Sequence, residues 1–110
     1  MQTITRRIFE KVAVISSDKM GDVRGTMAVK YDSSFDELGL DFTVKETRVY
    51  SMPESGTFFG IHYSNEETPM TKLVSVIRGR GMDYIIDLRK GSSTYLMHSN
   101  LWKMIQYNYS

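Results

Sequence analysis

His62 and Lys72 are the residues of this chain best suited to proton chemistry. His62 ends an apolar stretch, with Gly60 two positions before it, and an imidazole can act as a general base near neutral pH. Lys72 opens the run 73–77, Leu-Val-Ser-Val-Ile, where its ammonium can stabilise a developing oxyanion. The pair predicts removal of a proton and stabilisation of the anion that remains. His98, the other histidine, lies in a polar stretch and is expected at the surface.

Two carboxylates, those of Asp83 and Asp87, lie in the strand-like run Met82–Leu88. Side chains alternate along a strand, so the two carboxylates share one face, which meets either water or the interior of a barrel. In the functional interpretation they orient His62 or Lys72. In the structural alternative the aspartates and the lysine are solvated strand charges, and the histidine is partly buried and bonded to a backbone carbonyl.

Arg24 is a candidate for binding phosphate. It follows the turn 21–23, Gly-Asp-Val, and a guanidinium can hold a phosphate through two hydrogen bonds. The structural alternative is an arginine that faces solvent. The sequence 78–81, Arg-Gly-Arg-Gly, lacks the Gly-x-x-x-x-Gly-Lys-Ser/Thr spacing of a phosphate loop.

The stretch from Gly56 to His62 resembles the first half of the cupin metal signature, in which a glycine turn precedes a His-x-His pair. Ser64 stands where the second histidine would be, and Glu66 and Glu67 follow too early to complete the set. A protein metal site usually needs three or four ligands. We therefore expect a cupin-like strand with neither a metal nor another cofactor.

The composition of the chain limits which classes of protein it can belong to. The 110 residues are 41% hydrophobic and 25% charged, which predicts one globular domain over 1–110. Fourteen basic and thirteen acidic side chains give a net charge of +1, too small to attract nucleic acid or an anionic membrane. No apolar run reaches the length of a membrane span, and the absence of cysteine favours the cytoplasm.

Short runs rich in β-branched and aromatic residues, separated by polar or glycine turns, predict an all-β chain built as an antiparallel sandwich or barrel. One short helix is expected over Ser34–Leu40, with Ser34 as its cap and Gly39 as its stop. The segment 100–107 fits either a helix or a strand, and 18–22 is expected to be a turn. The predicted strands are Val12–Ser16, Gly25–Tyr31, Phe42–Tyr50, Thr57–Tyr63, Lys72–Arg78, Met82–Leu88 and Thr94–Met97.

Four blocks of the sequence, taken in order, resemble the dTDP-4-dehydrorhamnose 3,5-epimerase family. They are Asp-Val-Arg-Gly at 22–25, Gly-Ile-His-Tyr at 60–63, Lys-Leu-Val at 72–74 and the run 81–95. Each block alone is weak, whereas the ordered set is fairly specific. The resemblance implies a metal-independent cupin, or jelly-roll, barrel.

The resemblance also implies a reaction on a nucleotide-linked 4-keto-6-deoxy sugar, in sugar or polysaccharide biosynthesis. A base removes a proton beside the C4 ketone, the enolate is held electrostatically, and reprotonation from the other face inverts C3 or C5. By this resemblance His62 is the base and Lys72 stabilises the enolate oxygen. Asp83 joins them as a catalytic candidate through the functional interpretation of its strand given above. Arg24 corresponds to a contact with the nucleotide diphosphate, made across a homodimer that exchanges N-terminal strands.

Phe59 and Tyr63 flank the Gly-Ile-His sequence and complete the substrate-binding candidates, with Phe59 standing where the family has an arginine. Family members continue beyond Ser110, where they carry a tyrosine acid and the aspartate that orients the histidine, so the missing acid is expected from another part of the dimer. One alternative is an inactive cupin that serves as a carbohydrate-binding or structural dimer module. Another is a barrel that closes by pairing its strand edges with a second chain.

Overall fold

The computed structural model describes residues 2–40, 43–58, 60–63, 67, 70–102 and 105–109. Within these residues the chain forms eight strands and one short 3₁₀ helix, which agrees with the predicted all-β class. No helix in this part of the chain is long and apolar enough to cross a membrane. The strands are β1 Gln2–Ile8, β2 Val12–Ser17, β3 Lys19–Asp22, β4 Gly25–Ala28, β5 Thr71–Val74, β6 Met82–Ile86, β7 His98–Trp102 and β8 Ile105–Tyr109, with the 3₁₀ helix Ser33–Leu38 between β4 and β5.

Four of the strands form the largest sheet, in the order β1, β2, β8 and β5, and each neighbouring pair is antiparallel. Two antiparallel ribbons accompany this sheet, one made of β3 and β4 and the other of β6 and β7. The sheet therefore places β8 between two strands that are far from it in sequence. Lys72 lies on β5 and Asp83 on β6, so the two candidates belong to different layers.

Strand β2 is the centre of the hydrophobic core because it is buried on both faces. Ala13 and Ile15 pack against Phe35 of the 3₁₀ helix. Val12 and Val14 pack on the opposite face, where Leu101 of β7 contacts them. The four-stranded sheet is thus covered by the 3₁₀ helix on one side and by the β6–β7 ribbon on the other.

A β-bulge lets β1 contribute to both faces of this core. Ile4 pairs with Ile15 and packs on the side of the 3₁₀ helix, whereas Ile8 pairs with Val12 on the side of the β6–β7 ribbon. The two isoleucines are four residues apart, so regular alternation would place both on the same face. The register shift between Ile4 and Arg6 moves the rest of the strand to the opposite face.

The predicted helix is present, but its cap differs. Asp32 is the N-cap, and its side chain accepts a hydrogen bond of 2.9 Å from the backbone N–H of Ser34, the residue expected to cap. An aspartate directly before the first turn can accept this bond because its oxygen reaches the N–H groups left unpaired there. Gly39 ends the helix as predicted, with a φ of 71° in the left-handed region.

Two predicted strands, 42–50 and 57–63, form no strand in their described residues. Apolar side chains in them are largely exposed, including those of Val49 and Phe58. A β-branched or aromatic run becomes a strand only where a neighbouring strand takes up its backbone hydrogen bonds. Within the described part of the chain, no strand pairs with these two runs.

Three further expectations are settled by backbone pairing. The predicted strand Thr94–Met97 is wrong, because Leu96 has a φ of 66° and the N–H of Met97 bonds to the Thr94 carbonyl in a turn. The predicted turn 18–22 is also wrong, because Lys19–Asp22 pairs with Gly25–Ala28 as a hairpin. In 100–107 the strand alternative is confirmed, since this segment contributes to β7 and β8.

Candidate functional site

Lys72 lies on β5, an edge strand of the four-stranded sheet. Its neighbour Leu73 pairs with the same β8 residue as Ala13 does, so the two lie on one face of the sheet. That face packs on the side of the 3₁₀ helix. Side chains alternate along a strand, so Lys72 is on the opposite face, together with Val14. That face is the one covered by the β6–β7 ribbon. The lysine side chain is exposed there.

Asp83 approaches the same region from the ribbon. Ile85 of β6 packs against the cluster that contains Val12 and Val14, and Asp83 points to the same side because it is two residues away. Its cross-strand partner Leu101 is buried in that cluster. The carboxyl of Asp83 is half-buried, and this burial raises its pKa above the usual value.

Lys72 and Asp83 therefore each lie on the side of their strand that faces between the four-stranded sheet and the β6–β7 ribbon; we call the space between these two layers the interlayer space. An ammonium at its wall can stabilise a developing oxyanion. A carboxyl with a raised pKa can take up or give a proton closer to neutral pH than an exposed aspartate does. The registers of two separate strand pairs create this arrangement, which no local sequence pattern contains.

His62 lies in the exposed segment 60–63, which precedes β5 in sequence. Gly60 has a φ of 128°, a backbone conformation that L residues rarely adopt. A Cβ placed on Gly60 would stand 3.9 Å from the ring Nδ1 of His62, so the imidazole lies against the glycine backbone. Tyr63, the next residue, is also exposed. Phe59 lies outside the described residues.

Arg24 stands at the tip of the β3–β4 ribbon, away from the interlayer residues in sequence. Its Nε donates to Asp22 Oδ2 at 3.0 Å, and its backbone N–H donates to Asp22 Oδ1 at 2.8 Å. These hydrogen bonds lower the pKa of the Asp22 carboxyl. The guanidinium is exposed, so a phosphate that binds it would compete with this carboxylate.

The sequence suggested that Asp87 orients His62 or Lys72, but its carboxylate is buried in a local hydrogen-bond network. Arg89 donates to it from Nε at 3.0 Å and from Nη2 at 2.9 Å, and the Ser92 hydroxyl donates at 2.8 Å. The guanidinium of Arg89 holds the pKa of this carboxyl well below its usual range. Arg89 Nη2 also donates to the carbonyl of Phe9 at 2.7 Å, which fastens this loop to the β1–β2 turn. The sequence pattern that could have indicated this network is the spacing Asp-x-Arg-x-x-Ser.

A groove of about 300 Å³ lies on the outer face of the β6–β7 ribbon, opposite Asp83. His98, which pairs with Ile86 across the ribbon, is one of its lining residues and is exposed as predicted. The alternation of β6 places Tyr84 and Ile86 together, but the sequence does not indicate which other residues meet them. The groove is lined by Phe58, Ile61, Tyr84, Ile86, Leu96 and His98. The described residues contain no group of three or more side chains able to hold a metal ion.

Replacing Asp83 with asparagine is expected to raise the free energy of unfolding at pH 7 by about 0.5 kcal/mol or more. The pKa of Asp83 is higher in the folded chain than in the unfolded one, so its ionised form opposes folding. The stability advantage of the variant over the unsubstituted protein should therefore grow as pH rises through the unfolded and then the folded pKa of Asp83. Urea unfolding between pH 3 and pH 8, at about one-unit steps, measures this. A decrease in stability at pH 7 would contradict the prediction.

Residues 7–103 match the profile of a family described as dTDP-4-dehydrorhamnose 3,5-epimerase. A protein of that name from Methanothermobacter thermautotrophicus is 36% identical over 83 residues, which cover 74% of this chain and 44% of the relative. A dTDP-4-dehydro-6-deoxyglucose 3-epimerase from Streptomyces bikiniensis is 33% identical over 82 residues, covering 74% of this chain and 40% of the relative.

A crystal structure of dTDP-4-dehydrorhamnose 3,5-epimerase from Bacillus anthracis, with TDP and PPi bound to that protein, has a similar fold. The match covers 99% of this chain and 71% of the other, with a TM-score of 0.84 and 21% identity. This likeness confirms the predicted all-β, cupin-like fold. The chain spans less than half the length of the curated relatives described above.

Proposed function

Because the chain belongs to the dTDP-4-dehydrorhamnose 3,5-epimerase family, we propose that it acts on a nucleotide-linked 4-keto-6-deoxy sugar and inverts a carbon beside the ketone. The prediction of the family from the four ordered blocks is confirmed by the match over residues 7–103. Two relatives are 3-epimerases by name and one is a 3,5-epimerase. The proposal therefore leaves the inverted carbon, C3 or C5, to experiment.

The proposed reaction removes one proton from a carbon and adds another to the same carbon, so it needs no external oxidant or reductant. His62 takes the proton from the carbon next to the C4 ketone, and the electron pair of the broken C–H bond shifts to give a C=C bond and an enolate oxygen. The Lys72 ammonium stabilises the charge on that oxygen. A proton delivered to the opposite face of the same carbon restores the ketone with inverted stereochemistry.

The observation that supports this proposal is that Lys72 and Asp83 both lie on strand faces that point toward the interlayer space. They come from different layers, and the strand registers put each on the side of its strand that faces the other layer. His62 follows Ile61, which lines the groove on the outer face of the ribbon. The proposed role of His62 as the base therefore rests on the resemblance of residues 60–63 to the family and not on its position.

The proposed activity is tested by solvent exchange. The protein is incubated in D₂O with a dTDP-4-keto-6-deoxyhexose, and deuterium uptake at C3 and C5 is followed by proton NMR. Uptake at either carbon above the rate in buffer is the expected result. Uptake no faster than in buffer would favour a carbohydrate-binding module without catalysis, which binding of the same sugar nucleotide by calorimetry would then identify.

Replacing Lys72 with methionine is expected to slow deuterium uptake by about 100-fold, because removing one group that stabilises an oxyanion commonly has an effect of this size. Methionine keeps the length and the apolar stem of the side chain and removes only its charge. The matched control is Lys90→Met, since Lys90 is also exposed but lies in the turn after β6. Equal effects of the two substitutions would exclude a specific role for Lys72.

We further propose that the protein is a homodimer in the cytoplasm, in which Arg24 of one copy contacts the nucleotide diphosphate held by the other. The β3–β4 ribbon supports this, because its residues from Lys19 to Met27 are all exposed. A two-stranded ribbon is marginally stable in water unless something packs against it. Phe59 and Tyr63 are proposed to contact the substrate, since they flank the sequence that carries His62.

A further inference from the structure

The β6–β7 ribbon lies against the four-stranded sheet without sharing its backbone hydrogen bonds. Among the described residues, neither β6 nor β7 pairs with a strand of that sheet. Ile85 and Leu101 join the two layers through apolar packing. Such packing is non-directional, and a two-stranded ribbon has little stability of its own. The position of Asp83 relative to Lys72 therefore depends on further contacts between the layers.

Arg89, in the loop after β6, makes such a contact with the sheet. Its Nη2 donates to the carbonyl of Phe9 at 2.7 Å. Phe9 lies in the β1–β2 turn, and its side chain packs against the same apolar cluster as Ile85 does. A hydrogen bond fixes both a distance and a direction, which apolar packing does not. This bond therefore fixes the end of the ribbon at one place on the sheet.

The guanidinium of Arg89 extends from a loop that is itself held in shape. Besides the two side-chain bonds described above, the backbone N–H of Arg89 donates to Asp87 Oδ1 at 3.0 Å. The backbone of Asp87 closes the base of the loop, because its N–H donates to Met97 at 3.0 Å and its carbonyl accepts from Leu96 at 2.7 Å. Arg89 thus reaches the carbonyl of Phe9 in a fixed orientation.

Backbone strain is concentrated at the two ends of this contact. In the part of the chain that the structure describes, the non-glycine residues with a positive φ are Phe9 at 52°, Glu10 at 65° and Leu96 at 66°. The first two form the turn that Arg89 contacts, and Leu96 is bonded to Asp87. Residues keep such conformations where the surrounding structure fixes them, and they cluster at functional sites. The strain favours a role in placing groups over a role in stability alone.

We propose that Arg89 is a positioning residue, which sets the spacing between the layers that carry Lys72 and Asp83. The inference rests on the proposed function, because it concerns the same reaction. Asp83 lies four residues before Asp87, about 13 Å away at ~3.3 Å per residue of extended chain. Freeing the end of the ribbon would let it tilt about its apolar contacts and displace Asp83. A displacement of ~1 Å in a site can slow a reaction by about 100-fold.

Arg89→Lys is expected to slow deuterium uptake by about 10-fold at a saturating concentration of a dTDP-4-keto-6-deoxyhexose. Lysine keeps a positive charge beside Asp87, but it lacks the planar fork that reaches both this carboxylate and the carbonyl of Phe9. The dissociation constant of the sugar nucleotide should stay unchanged, because Arg89 is proposed to place reacting groups and not to bind the substrate. NMR gives the rate, and calorimetry gives the dissociation constant.

A second readout needs no substrate. Burial raises the pKa of Asp83, so a ribbon that is no longer fixed at its end would admit water to this carboxyl. The pKa of Asp83 in Arg89→Lys should therefore fall toward its ordinary value of 3.8. Carbon-13 NMR of the carboxyl group, followed against pH, measures it. Trimethylamine N-oxide, which favours the folded state, is added to all samples, and circular dichroism gives the folded fraction.

Ser92→Ala is the matched control from the same network. It removes one hydrogen bond to Asp87 and keeps the bond from Arg89 to the carbonyl of Phe9. The urea midpoint should fall for both variants. The exchange rate of the folded protein and the pKa of Asp83 should change only in Arg89→Lys. Equal changes in Ser92→Ala would show that Arg89 has a merely structural role and would overturn the proposal.

The outcomes keep this inference separate from the proposed function. Uptake by the unsubstituted protein no faster than in buffer would overturn the proposed function, while the titration of Asp83 would still test the spacing. An unchanged pKa of Asp83 in folded Arg89→Lys would overturn the spacing role, whatever the activity. A lowered pKa with an unchanged exchange rate would overturn the part of Arg89 in the reaction. A lowered pKa with a slower rate is the expected result.

Discussion

Replacing His62 with alanine is expected to lower the rate of deuterium exchange into a dTDP-4-keto-6-deoxyhexose by about 10³-fold, while the chain stays folded. A positioned general base typically accelerates proton transfer by 10²–10⁴-fold, and alanine removes the only proton acceptor on this side chain. The segment 60–63 is exposed, so the substitution deletes no core contact. NMR measurement of uptake at C3 and C5, with circular dichroism as the check on folding, gives the result.

Imidazole added to the His62→Ala variant separates a lost base from a distorted site. A free imidazole can supply the missing proton acceptor, so the exchange rate should rise with imidazole concentration and should follow its neutral form as pH changes. The unsubstituted protein should respond to imidazole only slightly. A variant that exchanges at the unsubstituted rate, or that imidazole leaves unchanged after a large loss, would remove His62 from the role of base.

The second large effect is expected for Asp87→Ala, which should lower the free energy of unfolding by about 3 kcal/mol. The Asp87 side chain is 2% exposed, and its removal leaves the guanidinium of Arg89 and the hydroxyl of Ser92 without their acceptor. The same change loosens the hold of Arg89 on the β1–β2 turn. A loss of this size is a large part of the 5–15 kcal/mol typical of a whole domain. Urea unfolding at pH 7 measures it.

The chain contains a matched control for this substitution. Asp22 and Arg24 form the same Asp-x-Arg pair at the tip of the β3–β4 ribbon, but both side chains are exposed. Exposed pairs contribute little to stability because water screens their attraction. Asp22→Ala is therefore expected to leave the urea midpoint unchanged. A similar loss for both substitutions would mean that burial of Asp87 is not what makes its pair stabilising.

The pH dependence of the Asp87 effect follows from its lowered pKa. Below its usual pKa of 3.8 the unfolded chain takes up a proton that the folded chain still resists. The contribution of Asp87 is therefore complete above about pH 5 and is lost progressively as pH falls through 3.8 and below. Asp83 should respond in the opposite direction, because its folded pKa is raised. The stabilities of the Asp83→Asn and Asp87→Ala variants, which differ most at pH 7, should thus converge on acidification.

The sequence predicts a strand well where its hydrophobic pattern agrees with the strand pairing in the structure. Val12–Ile15 is a continuous apolar run, as expected of a strand buried on both faces, and the structure places it at the centre of the core. The alternation in β6 correctly separates Asp83 from Tyr84. The resemblance of the ordered blocks identified the family, which composition and periodicity did not.

The features that the sequence could not predict depend on contacts between residues that are distant along the chain. The bulge between Ile4 and Arg6 lets the two ends of β1 pack against different layers, and the sequence of β1 contains no local pattern that indicates it. The runs 42–50 and 57–63 have strand composition, but composition does not reveal whether another strand is available to pair with them. The Asp87 network is local in sequence, yet Arg89 also donates to the carbonyl of Phe9, 80 residues away, and no local pattern predicts that contact.

The position of β8 in the four-stranded sheet has a consequence for synthesis of the chain. β8 separates β2 from β5, and it is the last described strand to leave the ribosome. Until it is made, β2 has one unpaired edge and β5 has no neighbour in its sheet. Pairing between strands so far apart must close long loops before it contributes any stability. Pairing of β5, the strand of Lys72, is therefore expected to follow synthesis of β8, with the β2 edge open to association with other chains in the meantime.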